Sequence, residues 1–211
     1  MTIPTIKPYP MPSLIEPSVA GWRLEPDRAL LLIHDMQNYF VDFFPSGEPP
    51  VVSLLDNVAR LRDVATAAGV PVVYSAQPGP MSYAERGLLR DVWGSGMGPA
   101  PRNREIAAPV APGPGHVVLE KRRYSAFHGT GLADLLQRAG RDQLIVCGVY
   151  AHVGCLMTAA DAFARDIETF LVSDAVADFS AEDHRMAVTY AARRCAVAMS
   201  TEAVRAALDR R

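Results

Sequence analysis

Apolar positions along the chain follow two rhythms that alternate. "RALLLIHD" (28–35) is an unbroken apolar run closed by polar residues, as in a strand covered on both faces. Leu54, Val58, Leu61, Ala65 and Ala68 then recur at helical spacing, and Gly69 closes that helix. "VPVVYSAQ" (70–77) reads as a second strand and "HVVLEK" (116–121) as a third, across a long connection rich in Gly and Pro. Leu132, Leu135, Leu136 and Ala139 form the next helical stripe, ended by Gly140, and "DQLIVCGVY" (142–150) is a fourth strand. Leu156, Ala159, Ala160 and Phe163 mark a helix, and "IETFLVSDA" (167–175) a fifth strand. Ser180 with Asp183 three residues on resembles a capping box opening another helix. "CAVAMST" (195–201) is a short sixth strand.

Strand and helix alternating in this way predict an α/β fold, a parallel sheet of about six strands with helices on both faces. Right-handed crossovers then bring ligand chemistry to the carboxyl ends of the strands, near the point where strand order reverses. The informative positions are therefore Asp35, Gln77, Lys121 and the turn over 149–154.

A length of 211 residues suits one well-buried domain, and 49% hydrophobic with 21% charged residues is ordinary for a globular protein. The net charge of −2 offers no general reason to bind nucleic acid. No apolar run approaches the ~20 residues of a membrane span. Residues 1–27 are broken by proline and read as an extended arm, on the body or on a partner subunit, rather than as a signal peptide. Three cysteines without metal-type spacing fit a reducing cytoplasm better than a disulfide framework. The histidines show no HxH, HxxxH or HExxH spacing, and the glycines form neither a Walker loop nor GxGxxG. No metal and no nucleotide cofactor is expected.

Asp35 and Lys121 would deliver opposite charges to one rim, a recurring arrangement for an acid tuned by a lysine. Gln77 and Arg86 flank "PGPMSYAE", where an amide and a guanidinium suit a carboxylate. Trp93 fits a pocket wall or a core aromatic equally well. Arg122 and Arg123 read as a solvated surface turn. Cys155 stands before a helical stripe, either as an acidified thiol at a helix start or as a small buried side chain.

"LLIHDMQNYF", "AQPGPMSYAERGLLRDVWGSGM", "EKRRYSAFHGTGL", "GVYAHVGC" and "SDAVADFSAEDHRMAVTYAARRC" together resemble the isochorismatase family, from the Pro-rich N-terminus to about residue 204. The resemblance implies a three-layer Rossmann-like fold over a single hydrolase domain, 1–211. It also implies a pyruvate-releasing hydrolase of an enolpyruvyl ether, either isochorismate (siderophore branch) or 2-amino-2-deoxyisochorismate (phenazine branch). "QPGPM" with "RGLL" leans to the second branch, and "YFVDFF" with "HVGC" to the first.

By the same resemblance Asp35 is the general acid. Lys121 pairs with it and with a substrate carboxylate, while Gln77 and Arg86 hold a carboxylate. Tyr39, Phe40 and Trp93 shape an apolar cavity with Tyr150, Gly154 makes room for the substrate ring, and the Val149–Tyr150 peptide is cis. Related amidohydrolases carry a cysteine nucleophile that, counted from Gly148, falls on Gly154. Cys155 lies one residue later, turned by ~100° along a helix start, and is read as packing. The family usually has an aromatic after the lysine. Arg122 stands there instead, either reshaping the wall or adding a charge. A cytoplasmic homodimer acting on a small molecule is the family expectation. Two alternatives stay open: a cysteine amidohydrolase using Cys155 or Cys147, and a non-catalytic scaffold or docking subunit.

Overall fold

The apolar run after Arg28 becomes the centre of the molecule. The computed structural model describes residues 3–12 and 17–209. In it β1 (Ala29–His34) is buried at every position. The short α1 (Asn38–Val41) and the long α2 (Val51–Ala67) follow, then β2 (Val72–Ala76). The connection after β2 holds α3 (Tyr83–Arg86), α4 (Leu89–Trp93), α5 (Pro101–Arg104) and a 3-10 turn, and leads to β3 (Val117–Glu120). The chain continues through α6 (Leu132–Arg138), β4 (Gln143–Val149), a π-helical turn (Ala151–Cys155) and α7 (Leu156–Phe163). It ends with β5 (Glu168–Ala177), α8 (Ala181–Arg194), β6 (Val197–Met199) and α9 (Thr201–Leu208).

All six strands pair in parallel, in the order β3-β2-β1-β4-β5-β6. The period of two along β1 divides its side chains between two cores. Leu31 and Ile33 pack with Leu54, Val58 and Leu61 of α2 and with Val204 of α9. Leu30 and Leu32 pack with Leu132 of α6, Ala159 of α7 and Ala187 of α8. The result is three layers, with both faces of the sheet covered along its centre and the edge strand β3 largely exposed. Strand order reverses between β1 and β4, so the crevice at their carboxyl ends is where this architecture holds ligands.

The six strands lie where the hydrophobic pattern puts them, and three details differ. The long Gly- and Pro-rich connection after β2 contains short helices, and the reciprocal capping box lies there, between Ser82 and Glu85. At α8 the Ser180 hydroxyl does accept the Asp183 N–H (3.0 Å), while also donating to the Asp183 carboxylate (2.7 Å). β6 stops at Met199 because Ser200 caps α9 by accepting the Ala203 N–H. The described part of the arm lies on its own chain: Ile6 and Tyr9 are buried, and the Tyr9 N–H reaches the Pro49 carbonyl at 3.3 Å. Among the described residues no helix is long and apolar enough to cross a membrane.

Candidate active site

Asp35 leaves β1 with φ at 49°, the left-handed region that aspartate tolerates better than most side chains. Its N–H still bonds back to Ser75 of β2, to the carbonyl (3.1 Å) and to Oγ (3.2 Å). The carboxylate accepts from Ser75 Oγ at 2.6 Å and from Lys121 Nζ at 2.8 Å. Only 4% of the residue is exposed. Burial pushes the Asp35 pKa up, but the Lys121 ammonium beside it and the Lys121 and Ser75 hydrogen bonds outweigh burial. The net direction is down, so the resting site holds a carboxylate.

Lys121 extends the β2–β3 ladder through its N–H to the Ala76 carbonyl (2.9 Å). Besides Asp35, its ammonium donates to the carbonyls of Arg123 (2.7 Å) and Tyr124 (3.4 Å). Three donors thus point at three protein acceptors, and only the long Tyr124 contact is readily exchanged for a substrate oxygen. Lys121 acts on Asp35 first, and its expected grip on a substrate carboxylate is secondary.

At the end of β4 the Val149–Tyr150 peptide is cis. The Val149 carbonyl is 2.8 Å from His34 Nδ1, which must be the donor, since a carbonyl only accepts. Burial lowers the His34 pKa, so the ring is neutral and Nε2 carries a lone pair. That atom is buried and has no hydrogen-bond partner among the described residues. The Cε1 edge of the ring lies against Gly154. A Cβ on Gly154 would stand 2.1 Å from His34 Cε1. Room for the substrate ring is thus not the first reason for this glycine: the His34 imidazole already fills the space that a side chain at 154 would need.

One cavity, with about 560 Å³ of empty space open to solvent, collects every residue that the sequence placed at the site. Asp35 and Lys121 line it together with Gln77, Arg86 and Gly154. Tyr39, Phe40, Trp93 and Tyr150 supply aromatic walls. Tyr150 donates its hydroxyl to the Phe40 carbonyl (2.7 Å), which fixes one ring against the other. Arg86 is buried, donating to Gln77 Oε1 (3.3 Å) and to the Gly94 carbonyl (3.2 Å). It fits because Gly96 has no Cβ, which would fall 2.6 Å from the guanidinium carbon.

Several lining residues were not singled out from the sequence. His34 was weighed only as a metal ligand. Arg123, read as a surface residue, lines the cavity, and its guanidinium is tied to the Glu85 and Arg122 carbonyls. Tyr124 accepts from Trp93 Nε1 at 2.7 Å, and Phe179 stacks near Tyr150 at 4.6 Å between ring centres. Both follow strand ends, the signal by which they were legible. Ile3 had no such signal. Arg122 is absent from the lining and pairs with Glu120 and Glu85 instead. Of the two effects expected of it, the added charge does not reach the cavity, because it is paired with these glutamates.

No cysteine lines this cavity. Cys147 and Cys155 are fully buried, and burial raises both thiols well above their ordinary pKa. Cys155 ends the π-helical turn and packs beneath the sheet with Leu156 and Ala159. A thiolate nucleophile has no place here. Among the described residues no three His, Cys, Asp or Glu side chains gather to hold a metal ion. Among the described residues the lining instead sets three cationic side chains, Arg86, Lys121 and Arg123, against the single carboxylate of Asp35. Such a cavity suits a small polyanion with an apolar face.

A family model described as Isochorismatase domain matches residues 29–203. Over 204 residues the chain is 50% identical to the phenazine biosynthesis protein PhzD of Pseudomonas fluorescens, across 96% of this chain and 98% of that one. It is 48% identical over 206 residues to the isochorismatase of Bacillus subtilis (strain 168), across 97% of this chain and 66% of that relative's length. Among solved structures, a cysteine hydrolase from Pseudomonas syringae pv. phaseolicola is similar with a TM-score of 0.81 at 25% identity, covering 92% of this chain and 98% of that one.

Proposed function

The chain belongs to the isochorismatase family, and from that premise we propose that it hydrolyses the enolpyruvyl ether of isochorismate or 2-amino-2-deoxyisochorismate. The products are pyruvate and trans-2,3-dihydroxy-dihydrobenzoate or trans-dihydro-3-hydroxyanthranilate. One observation carries this assignment: among the described residues the only carboxyl group lining a cation-rich cavity is Asp35, buried and hydrogen-bonded, with no thiol in the lining.

Asp35 in its acid form gives its proton to the terminal methylene of the enol ether. The electron pair of the double bond takes that proton, and the positive charge settles on the ether carbon as an oxocarbenium ion. Water adds at that carbon, and the hemiketal breaks its bond to the ring oxygen, which leaves as the alcohol. Asp35 regains a proton from the added water. The resting carboxylate must first be protonated. A dianion entering beside Lys121 and Asp35 raises the Asp35 pKa, since it opposes a third negative charge and offsets the ammonium. Proton uptake therefore accompanies binding. Arg86 and Gln77 hold a substrate carboxylate, and the Tyr39, Phe40, Trp93 and Tyr150 rings face its apolar side.

We also propose that the enzyme serves a phenazine- or siderophore-type pathway, a reading supported by its likeness to a phenazine biosynthesis protein and an isochorismatase, and that it is a homodimer in the cytoplasm, where unpaired cysteines persist. A side-by-side assay of the two substrates with pyruvate detection tests the activity. In heavy water one deuterium should enter the pyruvate methyl group, trapped at once by reduction to lactate. Label from oxygen-18 water should enter pyruvate and not the ring hydroxyl. Ring labelling, or no pyruvate from either substrate, would overturn the assignment.

A further inference from the structure

Ile3 stands at the start of the described arm, yet it lines the same cavity as Asp35. It is half-buried and packs against the hydrophobic core of that side of the sheet. Six residues on, Tyr9 is buried, and its hydroxyl joins a buried hydrogen-bond cluster. His184 Nε2 lies 2.8 Å from the Ser173 carbonyl and must donate to it, which leaves His184 Nδ1 as an acceptor. The Tyr9 hydroxyl accepts the Asp178 N–H at 2.8 Å, and its own proton faces two acceptors, that nitrogen at 3.2 Å and the Asp178 carbonyl at 3.3 Å. Burial raises the Tyr9 pKa, so the phenol keeps its proton.

Asp178 is itself a junction. Its buried carboxylate accepts from the His152 N–H (2.6 Å), from His152 Nδ1 (2.7 Å) and from the Phe179 N–H (2.9 Å). His152 belongs to the π-helical turn that carries Gly154. Phe179 lines the cavity against Tyr150 and Trp93. The residue that anchors the arm thus grips the peptide unit that sets both the turn and one aromatic wall.

We infer that the N-terminal arm is a working wall of the catalytic cavity, with Ile3 as a specificity-determining contact for the apolar face of the substrate and Tyr9 as the positioning residue that holds it there. This rests on the enolpyruvyl-ether assignment for its kinetic consequence, but not for its geometry. An arm held only for stability would have no need to bring a side chain into the cavity.

The test compares Ile3→Ala, Tyr9→Phe, their double variant, and Lys7→Ala as a control at an exposed arm position. Removing three half-buried carbon atoms at Ile3 should raise KM by about 3- to 10-fold, with kcat within about twofold and the melting temperature lowered by no more than about 4 °C. Tyr9→Phe should lower the melting temperature and also raise KM, and the double variant should raise KM by less than the product of the single effects. Lys7→Ala should match the parent. A second readout needs no substrate. In a Trp22→Phe background, Trp93 reports on the cavity, and Ile3→Ala should increase its quenching by acrylamide. If neither substrate is turned over, the functional assignment fails and this quenching alone decides the role of the arm. Ile3→Ala indistinguishable from Lys7→Ala in KM and quenching would overturn the wall. A Tyr9→Phe variant that loses melting temperature with KM unchanged would overturn the positioning role.

Discussion

Adding one methyl group at Gly154 should disturb the site out of proportion to its size. The Cβ of Gly154→Ala would stand 2.1 Å from His34 Cε1, 2.8 Å from Nε2 and 2.9 Å from Nδ1. Carbon atoms settle at about 3.5–4.0 Å, so the ring must retreat by more than an ångström. It is fully buried, and its Nδ1–H bond to the Val149 carbonyl resists the movement. Overpacking of this kind costs about 1–3 kcal/mol, and the lost hydrogen bond adds about 0.5–1.5 kcal/mol. Together they amount to about 2–4 kcal/mol, or a fall in melting temperature of about 5–15 °C for a domain of this length. His34→Ala alone is also destabilising, since it leaves a hole and strands the Val149 carbonyl. In the double variant the new methyl group enters that hole. Denaturation of all four proteins should therefore reveal a favourable coupling of about 1–3 kcal/mol. A Gly154→Ala protein that melts with the parent, or strictly additive effects, would show that the imidazole does not occupy this space.

Asp35→Asn keeps the shape of the acid but has no proton to give, so kcat should fall by about 10²–10⁴-fold with the fold intact by circular dichroism, and a near-parental rate would place the acid elsewhere. Ser75→Ala removes a 2.6 Å donor that favours the carboxylate, so the Asp35 pKa rises and the alkaline fall of kcat/KM should move to higher pH. Because the Asp35 pKa is depressed by folding, its stabilisation is present above the ordinary carboxylate range and lost as pH falls through the folded value. The melting deficit of Ser75→Ala should accordingly shrink in acid, and a deficit independent of pH would contradict the coupling. Cys155→Ala should keep most of the pyruvate-forming rate, and iodoacetamide should leave the parent active. Rapid inactivation traced to Cys155 would restore the thiol mechanism.

The six strands and the rim they share were legible in the sequence because each rests on a local pattern. An apolar run of four to eight residues between turn signals reads as a strand, covered on both faces at β1 and β4 though exposed at the edge strand β3, and the strand ends follow from where the run stops. Asp35, Gln77 and Lys121 stand at such ends, so their gathering could be anticipated before any distance was known. Gly154 was identified by counting from Gly148, but the reason given for it was incomplete. Its neighbour is His34, 120 positions earlier, and only the pairing of β1 with β4 brings that ring to the glycine's α-carbon. The outward turn of Arg122 and inward place of Arg123 were likewise invisible, because after β3 the chain has no period from which to read direction. Ile3 and Tyr9 lie in a segment whose prolines announce only that it is extended. What it lies against is decided by long-range hydrogen bonds to Asp178 and His184, and contacts across so many residues leave no local pattern in the sequence.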